Sequence, residues 1–384
     1  MSSARLAPGD ARGLAAALVR VDSRNPSLVA GGAGEGACAS LLEGVLADWG
    51  FRTELHEAAP GRPNLVARIG AGARTLMFNG HLDIVGIDGM THAPFDAVEH
   101  AGRLYGRGSA DMKGGIAAMC AAAYRAHAEG LAGELVIAAV ADEEYESLGT
   151  RVLLERGVRA DAAVVTEPTC LSIMPAHRGF VWIEVEVAGW AAHGSRWDLG
   201  VDAIRHAGLL LAELDRIDAD VLPLRVHPLL GRGSLHASLI EGGTGMSTYP
   251  DRCVLKLERR SIPGETADEC VAEVKRACAA VRARRPSFVA DVRLLVTQGP
   301  SDVPVDAPLV RELGSALEWC GEPCRIEGMS AWTDAALLNE AGIPAVCFGP
   351  GDISLAHGAE EYIPLEEIDR ATAVLTALAA RWCG

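Results

Sequence analysis

The sequence has little positive charge and no long apolar run, and both absences limit what the protein can bind. Its formal net charge is -16 at pH 7, a field that repels polyanions, so nucleic acid is not an expected partner. We find no uncharged apolar run of about 18 residues, the length of a membrane span. The N-terminal segment also lacks the basic start and apolar core of an export signal. We therefore expect a cytoplasmic protein without a membrane partner.

The sequence also lacks closely paired cysteines. Its 10 cysteines include no Cys-x-x-Cys pair, and scattered cysteines in a reducing compartment are mostly small buried hydrophobic residues. With 49% hydrophobic and 22% charged residues, the composition is that of a folded globular protein. A length of 384 residues predicts roughly two domains, at about 100–200 residues per domain.

The first part of the chain alternates short apolar runs with a helical pattern. Apolar runs separated by helices are typical of a mixed or parallel sheet with helices on both faces. We therefore predict an α/β domain formed by residues 1–176 and 296–384. Its predicted strands are Asn64–Ile69, Thr75–Asn79, Glu134–Ala141, Ala162–Thr166 and Ile343–Phe348, and its predicted helices begin at Gly114, Pro308 and Thr333.

Residues 177–295 have a different pattern, in which apolar and polar residues alternate. Strands near Phe180–Trp190, Leu235–Glu241, Cys253–Arg259 and Phe288–Val296 are interrupted by helices near Val201–Ile217 and Thr266–Arg284. The resulting order β-α-β-β-α-β is that of a ferredoxin-like domain. We predict that this domain is inserted into the first.

Polar side chains that could carry chemistry follow the apolar runs of the first domain. His81 and Asp83 follow one run, and strand periodicity would place both on one face, so that the carboxylate could orient the imidazole. Asp111 lies in the glycine-rich segment GRGSADMKGG. That segment lacks the glycine spacing of nucleotide-binding loops, and a tight turn with Asp111 as a helix N-cap is the alternative interpretation.

Three further candidates follow other strands of the same predicted sheet. The acidic segment ADEEYE contains Glu143 and Glu144 and by itself is typical of a solvated loop, and Glu167 and His357 occupy loops of the same kind. Ligands of α/β sheets bind beyond the carboxyl ends of strands. Two histidines and three carboxylates at one sheet edge fit a pair of zinc-like ions; they are His81, Asp111, Glu144, Glu167 and His357.

The motifs GHLDIV, GRGSADMKGG, ADEEYESLG and TEPT, followed by the segment from GPG to His357, occur in an order that resembles the M20 family of metallopeptidases and acylamino-acid deacylases. Within that family the sequence is most similar to the acetylornithine deacetylases and succinyl-diaminopimelate desuccinylases. The resemblance covers nearly the whole chain. It is specific for the family and much less specific for the substrate.

The resemblance implies a role for each ligand. His81 and Glu167 would hold one metal ion, Glu144 and His357 would hold the other, and Asp111 would bridge both. Zinc is the expected metal, with cobalt or manganese as alternatives.

The resemblance also implies how the remaining residues of this domain act. Asp83 would orient His81, and Glu143 would be the general base and acid for a water held between the ions. The family usually has a cis peptide bond after the bridging aspartate, here Asp111-Met112.

The inserted domain resembles the lid and dimerisation domain of the family. His193 matches a histidine that reaches across a homodimer to stabilise an oxyanion. Arg260 matches an arginine that binds the substrate carboxylate. Ser247 occupies a position where asparagine is common, and its different donors could change which substrate is recognised.

The resemblance predicts a metal-dependent hydrolase that cleaves the amide bond of a small N-acyl amino acid. A dipeptidase or carboxypeptidase, or a hydrolase of N-carbamoyl amino acids, would use the same site. A dimeric binding protein that retained the fold without activity is a further alternative. The presence of every expected ligand and of Glu143 argues against it.

Overall fold

The structure, a computed structural model, describes residues 6–384. The first five residues, which belong to the N-terminal segment considered above, lie outside this range. The chain forms two compact units. The first comprises the chain up to Pro175 together with Val303–Glu327 and Thr333–Gly384, and the second comprises Ala176–Asp302 and Gly328–Trp332. In the described part of the chain, no helix is both long enough and apolar enough to cross a membrane.

Several helices begin at residues whose side chains satisfy the free N–H groups of the first turn. Asp10 accepts from the N–H of Gly13, and Thr266 forms a reciprocal capping box with Glu269. The helices are α1 (Ala11–Val19), α2 (Gly36–Asp48), α3 (Gly114–Ala128), α4 (Leu148–Glu155), α5 (Ala203–Arg216), α6 (Ala267–Arg284), α7 (Pro308–Trp319), α8 (Ala335–Glu340) and α9 (Leu365–Cys383).

The strands include long members of two main sheets and several short pairs. They are β1 (Arg52–Ala59), β2 (Arg62–Gly70), β3 (Thr75–His81), β4 (Val98–His100), β5 (Arg103–Tyr105), β6 (Glu134–Val140), β7 (Ala162–Val165), β8 (Ile173–His177), β9 (Gly179–Ala188), β10 (Val226–His227), β11 (Gly231–Arg232), β12 (Ser234–Gly242), β13 (Arg252–Ser261), β14 (Val289–Gln298), β15 (Ser301–Asp302), β16 (Ile326–Met329), β17 (Ala345–Cys347) and β18 (Tyr362–Pro364).

The sheet of the first unit runs in the order β1-β2-β6-β3-β7-β17-β8. Its central strands β6, β3, β7 and β17 are parallel, whereas β2 joins β6 in the antiparallel direction. The sheet is therefore mixed, as predicted. The central strands are buried almost along their whole length, which explains why each appears in the sequence as a continuous apolar run.

Helix α3 approaches this sheet closely because its second residue is a glycine. A Cβ atom at Gly115 would lie 2.0 Å from the carbonyl oxygen of Thr166, far inside van der Waals contact. Thr166 directly follows β7 and precedes Glu167. The glycine therefore allows the start of α3 to pack beside the segment that carries a candidate metal ligand.

The second unit contains an antiparallel sheet in the order β12-β13-β9-β14. Along the chain these strands and helices α5 and α6 follow the order β9-α5-β12-β13-α6-β14, with the short pair β10-β11 before β12. The predicted β-α-β-β-α-β order is confirmed. Apolar side chains from the two helices and from one face of the sheet form a separate core.

Candidate metal centre

The central parallel strands of the first unit bring several candidate ligands to one edge. Strand β3 ends at His81, which lies opposite Val140, the last residue of β6. Asn79 of β3 lies opposite Val165, the last residue of β7. The residues that follow β6 and β7 therefore emerge beside His81, where ligands of α/β sheets commonly bind.

Asp111 reaches the same place from the turn Ser109–Lys113, which leads into α3. Its carboxylate Oδ1 lies 3.1 Å from Nε2 of His81, and its Oδ2 lies 3.4 Å from Nε2 of His357. Each carboxylate oxygen thus contacts a different imidazole. The peptide bond Asp111-Met112 is cis, as the resemblance predicts.

The other carboxylates divide between the two histidines. Oε1 of Glu144 lies 3.0 Å from Nε2 of His357, whereas Oε1 of Glu167 lies 4.0 Å from Nε2 of His81. Ligand atoms of His81, Glu143 and Glu167 all lie within 4.8 Å of one another. The same limit holds for His81, Asp111 and Glu144. The structure therefore brings together all five residues predicted as metal ligands, with Glu143 beside them.

The cluster has an excess of buried negative charge. Burial raises the pKa of both Glu143 and Glu167 well above the ordinary range. Burial opposes the charge on His81, but the neighbouring Asp111 and Glu167 carboxylates outweigh this effect, so its pKa is raised well above the ordinary value. Hydrogen bonding to Asp111 raises the pKa of His357 to about 10. These carboxylates therefore favour any cation that enters the cluster.

The donor set fits divalent metal ions. Imidazole nitrogens and carboxylate oxygens are common zinc ligands, and the same set also suits other transition metals. Four acidic side chains and two histidines line the cluster. Divalent ions would supply the positive charge that the two imidazoles alone do not provide.

Asp83 contacts His81 differently from the expectation based on strand periodicity. Nδ1 of His81 lies 2.9 Å from the main-chain oxygen of Asp83 and 3.7 Å from its carboxylate. The reason is that β3 ends at His81, so the alternation of faces does not extend to Asp83. The Asp83 carboxylate instead accepts hydrogen bonds from the main-chain N–H groups of Glu143 and Glu144. Burial raises the pKa of Asp83 to about 7.

A buried ionic network behind the cluster was missed by the sequence analysis. Arg62 forms two hydrogen bonds with Glu35, at 2.5 and 2.9 Å, and a third with Asp142 at 2.7 Å. The side-chain amide of Asn25 donates to both Asp142 and Asp83, at 3.1 and 2.8 Å. Asp142 directly precedes Glu143, so this network fixes the start of the acidic loop. The sequence offers no periodic signal for these contacts because the partners lie far apart along the chain.

The remaining predicted site residues lie in the second unit, where His193 is exposed. Its Nδ1 accepts from the main-chain N–H of Ser195 at 3.2 Å and also contacts the Ser195 hydroxyl at 2.9 Å. Because Nδ1 is the acceptor, the neutral ring carries its proton on Nε2. The role of His193 as an oxyanion donor stays a prediction.

Ser247 and Arg260 also belong to the second unit. The main-chain oxygen of Ser247 accepts from the N–H of Gly194 at 2.7 Å, which joins the loop of Ser247 to that of His193. Arg260 lies on β13, contacts the Glu258 carboxylate and lies 5.4 Å from the ring centroid of Phe180. Their proposed contacts with substrate stay predictions.

Comparison with known proteins identifies relatives along most of the chain. A family model described as peptidase family M20/M25/M40 matches residues 77–381. The chain is 34% identical over 349 residues to an acetylornithine deacetylase from Myxococcus xanthus, covering 87% of this chain and 89% of the relative. It is 28% identical over 378 residues to an N-formyl-4-amino-5-aminomethyl-2-methylpyrimidine deformylase from Bacillus subtilis, covering 90% and 88%.

A solved structure shows the same fold. The aminopeptidase PepT from Bacillus cereus matches with a TM-score of 0.81 at 22% sequence identity, covering 99% of this chain and 100% of the other. At this identity the similarity establishes the fold and leaves the substrate undefined.

Proposed function

Because the chain belongs to peptidase family M20/M25/M40, we propose that it hydrolyses the amide bond of a small N-acyl amino acid in a metal-dependent reaction. The observation that carries this proposal is the position of Asp111. Its two carboxylate oxygens contact two different imidazoles, those of His81 and His357. A carboxylate shared in this way is suited to bridge two ions. The relative from Myxococcus xanthus is an acetylornithine deacetylase, which supports an acyl-amino-acid substrate.

We assign the ligands from these contacts. His81 and Glu167 would hold one ion, Glu144 and His357 would hold the other, and Asp111 would serve both. Zinc is the proposed metal because imidazole and carboxylate ligands suit it, with cobalt or manganese as alternatives. Two bound divalent ions would polarise the amide carbonyl and lower the pKa of the attacking water.

Glu143 is the proposed general base and acid. It lies beside the ligand cluster, and its main-chain N–H is held by the Asp83 carboxylate at 3.1 Å. It would take a proton from the attacking water and then protonate the amine that leaves. Asp83 is therefore a proposed positioning residue. Its main-chain oxygen orients the His81 ring, and its carboxylate holds the loop that carries Glu143.

Residues of the second unit would recognise the rest of the substrate. His193 presents an Nε2–H that could donate to the oxyanion, and the guanidinium of Arg260 could bind the substrate carboxylate. Ser247 would contact the substrate from the loop joined to that of His193. This unit would serve as lid and dimerisation domain.

The proposed homodimer is supported by the edge of the second sheet. Strand β12 pairs only with β13 in the described sheet, and its Leu239 and Ile240 are 62% and 57% exposed. An apolar edge strand is a ready surface for pairing with a second copy. Sedimentation analysis tests this assembly, and a monomer at micromolar concentration would contradict it. If His193 acts across the dimer, verified heterodimers of His193→Ala and Glu143→Ala chains should recover partial activity.

A substrate panel tests the proposed reaction. The panel contains N-acetyl, N-succinyl, N-formyl and N-carbamoyl amino acids together with dipeptides, and the enzyme is analysed for metal before assay. We expect hydrolysis of one acyl class that is lost on chelation. Preference for dipeptides would assign a peptidase, and preference for carbamoyl substrates would assign a carbamoyl-amino-acid hydrolase. We further propose a cytoplasmic location, which cell fractionation tests.

Two substitutions separate the roles within the site. Glu143→Ala should abolish turnover while metal content remains, because Glu143 moves protons. Asp111→Ala should lose metal because the carboxylate between the two histidines is removed. Glu146→Ala, at an exposed position of the same loop, is the control and should retain activity. Full turnover by the Glu143→Ala protein would refute its assignment, and a wild-type protein that binds no metal would refute the proposed function.

A further inference from the structure

Glu361 is a fully buried acid whose carboxylate binds the turn that carries Asp111. The side chain of Glu361 is 0% exposed. Its Oε2 accepts from Nη1 of Arg107 at 2.7 Å and from the N–H of Gly108 at 3.0 Å. Its Oε1 accepts from the N–H groups of Ala110 and Asp111 at 3.1 and 3.2 Å. Both oxygens are therefore occupied by donors of the segment Arg107–Asp111.

The turn departs from helical geometry at two points. Gly108 has a φ of 78°, in the left-handed region, and Asp111 has φ -121° and ψ 93°, which are not helical. The main-chain N–H groups of Gly108, Ala110 and Asp111 find their acceptor in Glu361, whereas those of Ser109 and Lys113 bond within the segment. Every contact of the Glu361 carboxylate is with a donor, and hydrogen bonds to a carboxylate that only accepts are stronger than those between neutral groups, so Glu361 supports the turn from outside.

The same residue links three segments that carry metal ligands. Glu361 lies shortly after His357 in the chain, and its main-chain oxygen accepts from the N–H of Gly106 at 3.3 Å. Arg107, which binds the Glu361 carboxylate, also donates through Nε to the oxygen of Gly86 at 2.9 Å. Gly86 follows His81 in its loop. The segments of His81, Asp111 and His357 thus meet through one buried carboxylate and one guanidinium.

We propose that Glu361 is a positioning residue for the metal centre, holding Asp111 at the point where its two oxygens reach both histidines. The inference rests on the proposed function, because it concerns the same metal site. Glu361 need not itself contact an ion, since its two oxygens are occupied by the turn and by Arg107. Its effect is to fix the main chain of the bridging residue before metal binds.

A glutamine at this position should disturb the turn with little change in volume. An amide oxygen can replace one carboxylate oxygen, but the amide NH2 would face N–H donors in place of the second acceptor. At least one pair of hydrogen bonds to the turn is then lost. Residues that orient metal ligands typically change metal affinity or activity by about 10- to 100-fold when replaced. We expect Glu361→Gln to lower affinity for Zn²⁺ by that factor.

The experiment is a competition titration of the metal-free full-length chain with Zn²⁺ and a chromophoric chelator. The wild-type protein, Glu361→Gln and the matched control Glu360→Gln are compared, because Glu360 is an exposed neighbour of the same charge. Circular dichroism and the unfolding midpoint of each metal-free protein are measured in parallel. A role confined to fold stability would lower that midpoint and leave the Zn²⁺ affinity of the folded protein unchanged.

The outcomes distinguish the inference from the proposed function. Weaker Zn²⁺ binding by Glu361→Gln, with normal binding by Glu360→Gln, supports the inference. Equal affinity in all three proteins overturns it while leaving the proposed function intact. A wild-type chain that binds no divalent metal overturns both. If Glu361→Gln does not fold, Glu361→Asp is titrated instead, because its shorter side chain withdraws the carboxylate from the turn. Unchanged affinity in that variant also overturns the inference.

Discussion

Arg62 pairs with the buried carboxylates of Glu35 and Asp142, so its replacement should lower the free energy of unfolding of the first unit. The Arg62 side chain is 10% exposed and its partners are 0% and 4% exposed. Arg62→Met would retain most of the apolar volume but leave two buried carboxylates without their cation. Breaking a buried ion pair on one side costs about 3–5 kcal/mol. At about 2–4 °C per kcal/mol for a unit of this size, the unfolding midpoint should fall by roughly 6–20 °C.

The assay is urea and thermal unfolding of the full chain, with Arg12→Met as the matched control. Arg12 pairs with Asp369 in the same unit, but these side chains are 46% and 44% exposed. Exposed pairs contribute about 0–1 kcal/mol, so the control should unfold close to the wild type. Equal midpoints for the Arg62→Met and Arg12→Met proteins would refute the argument that the buried network stabilises the unit.

Three further predictions concern other parts of the chain. Burial lowers the pKa of His177 to about 4, whereas the unfolded chain takes up this proton below about pH 6.5, so stability should decrease as pH falls between these values. His177→Gln should reduce that acid sensitivity in urea titrations, and His100→Gln, at an exposed position, should not. Thr266→Ala removes the cap of α6 and should cost about 0.5–2 kcal/mol by urea unfolding; Thr266→Ser should restore most of it. Gly115→Ala places a methyl group 2.0 Å from the Thr166 oxygen and should cost about 1–3 kcal/mol, so an unchanged midpoint would contradict the close packing.

The parts of the fold predicted from sequence are those with a strong local pattern. The central strands β3, β6 and β7 were predicted because burial on both faces requires continuous apolar residues. Strand β1 was missed because its burial pattern is mostly exposed or half-buried, so it lacks such a run. Helix α9 was missed although its apolar residues recur at helical spacing, which is a local signal of an amphipathic helix.

The same holds for the candidate site. Residues with a local sequence signal could be predicted, and residues that depend on contacts distant along the chain could not. His81, Glu144 and Glu167 could be predicted because each follows a recognisable strand. Glu361 and Arg62 could not, because a buried charged residue has the same sequence letter as an exposed one. Their burial depends on partners that only the tertiary fold supplies.

The order of the proposed ligands along the chain has a consequence for how the protein is made. His81, Asp111, Glu144 and Glu167 precede the second unit, whereas His357 and Glu361 follow it. During synthesis the nascent chain emerges from the N-terminal side, and domains generally fold as units in that order. The residues of the second unit, which end at Trp332, are therefore synthesised before His357, the last proposed ligand. A partly synthesised chain that ends before His357 lacks one of the five proposed ligands, so it cannot present the complete set to a metal ion.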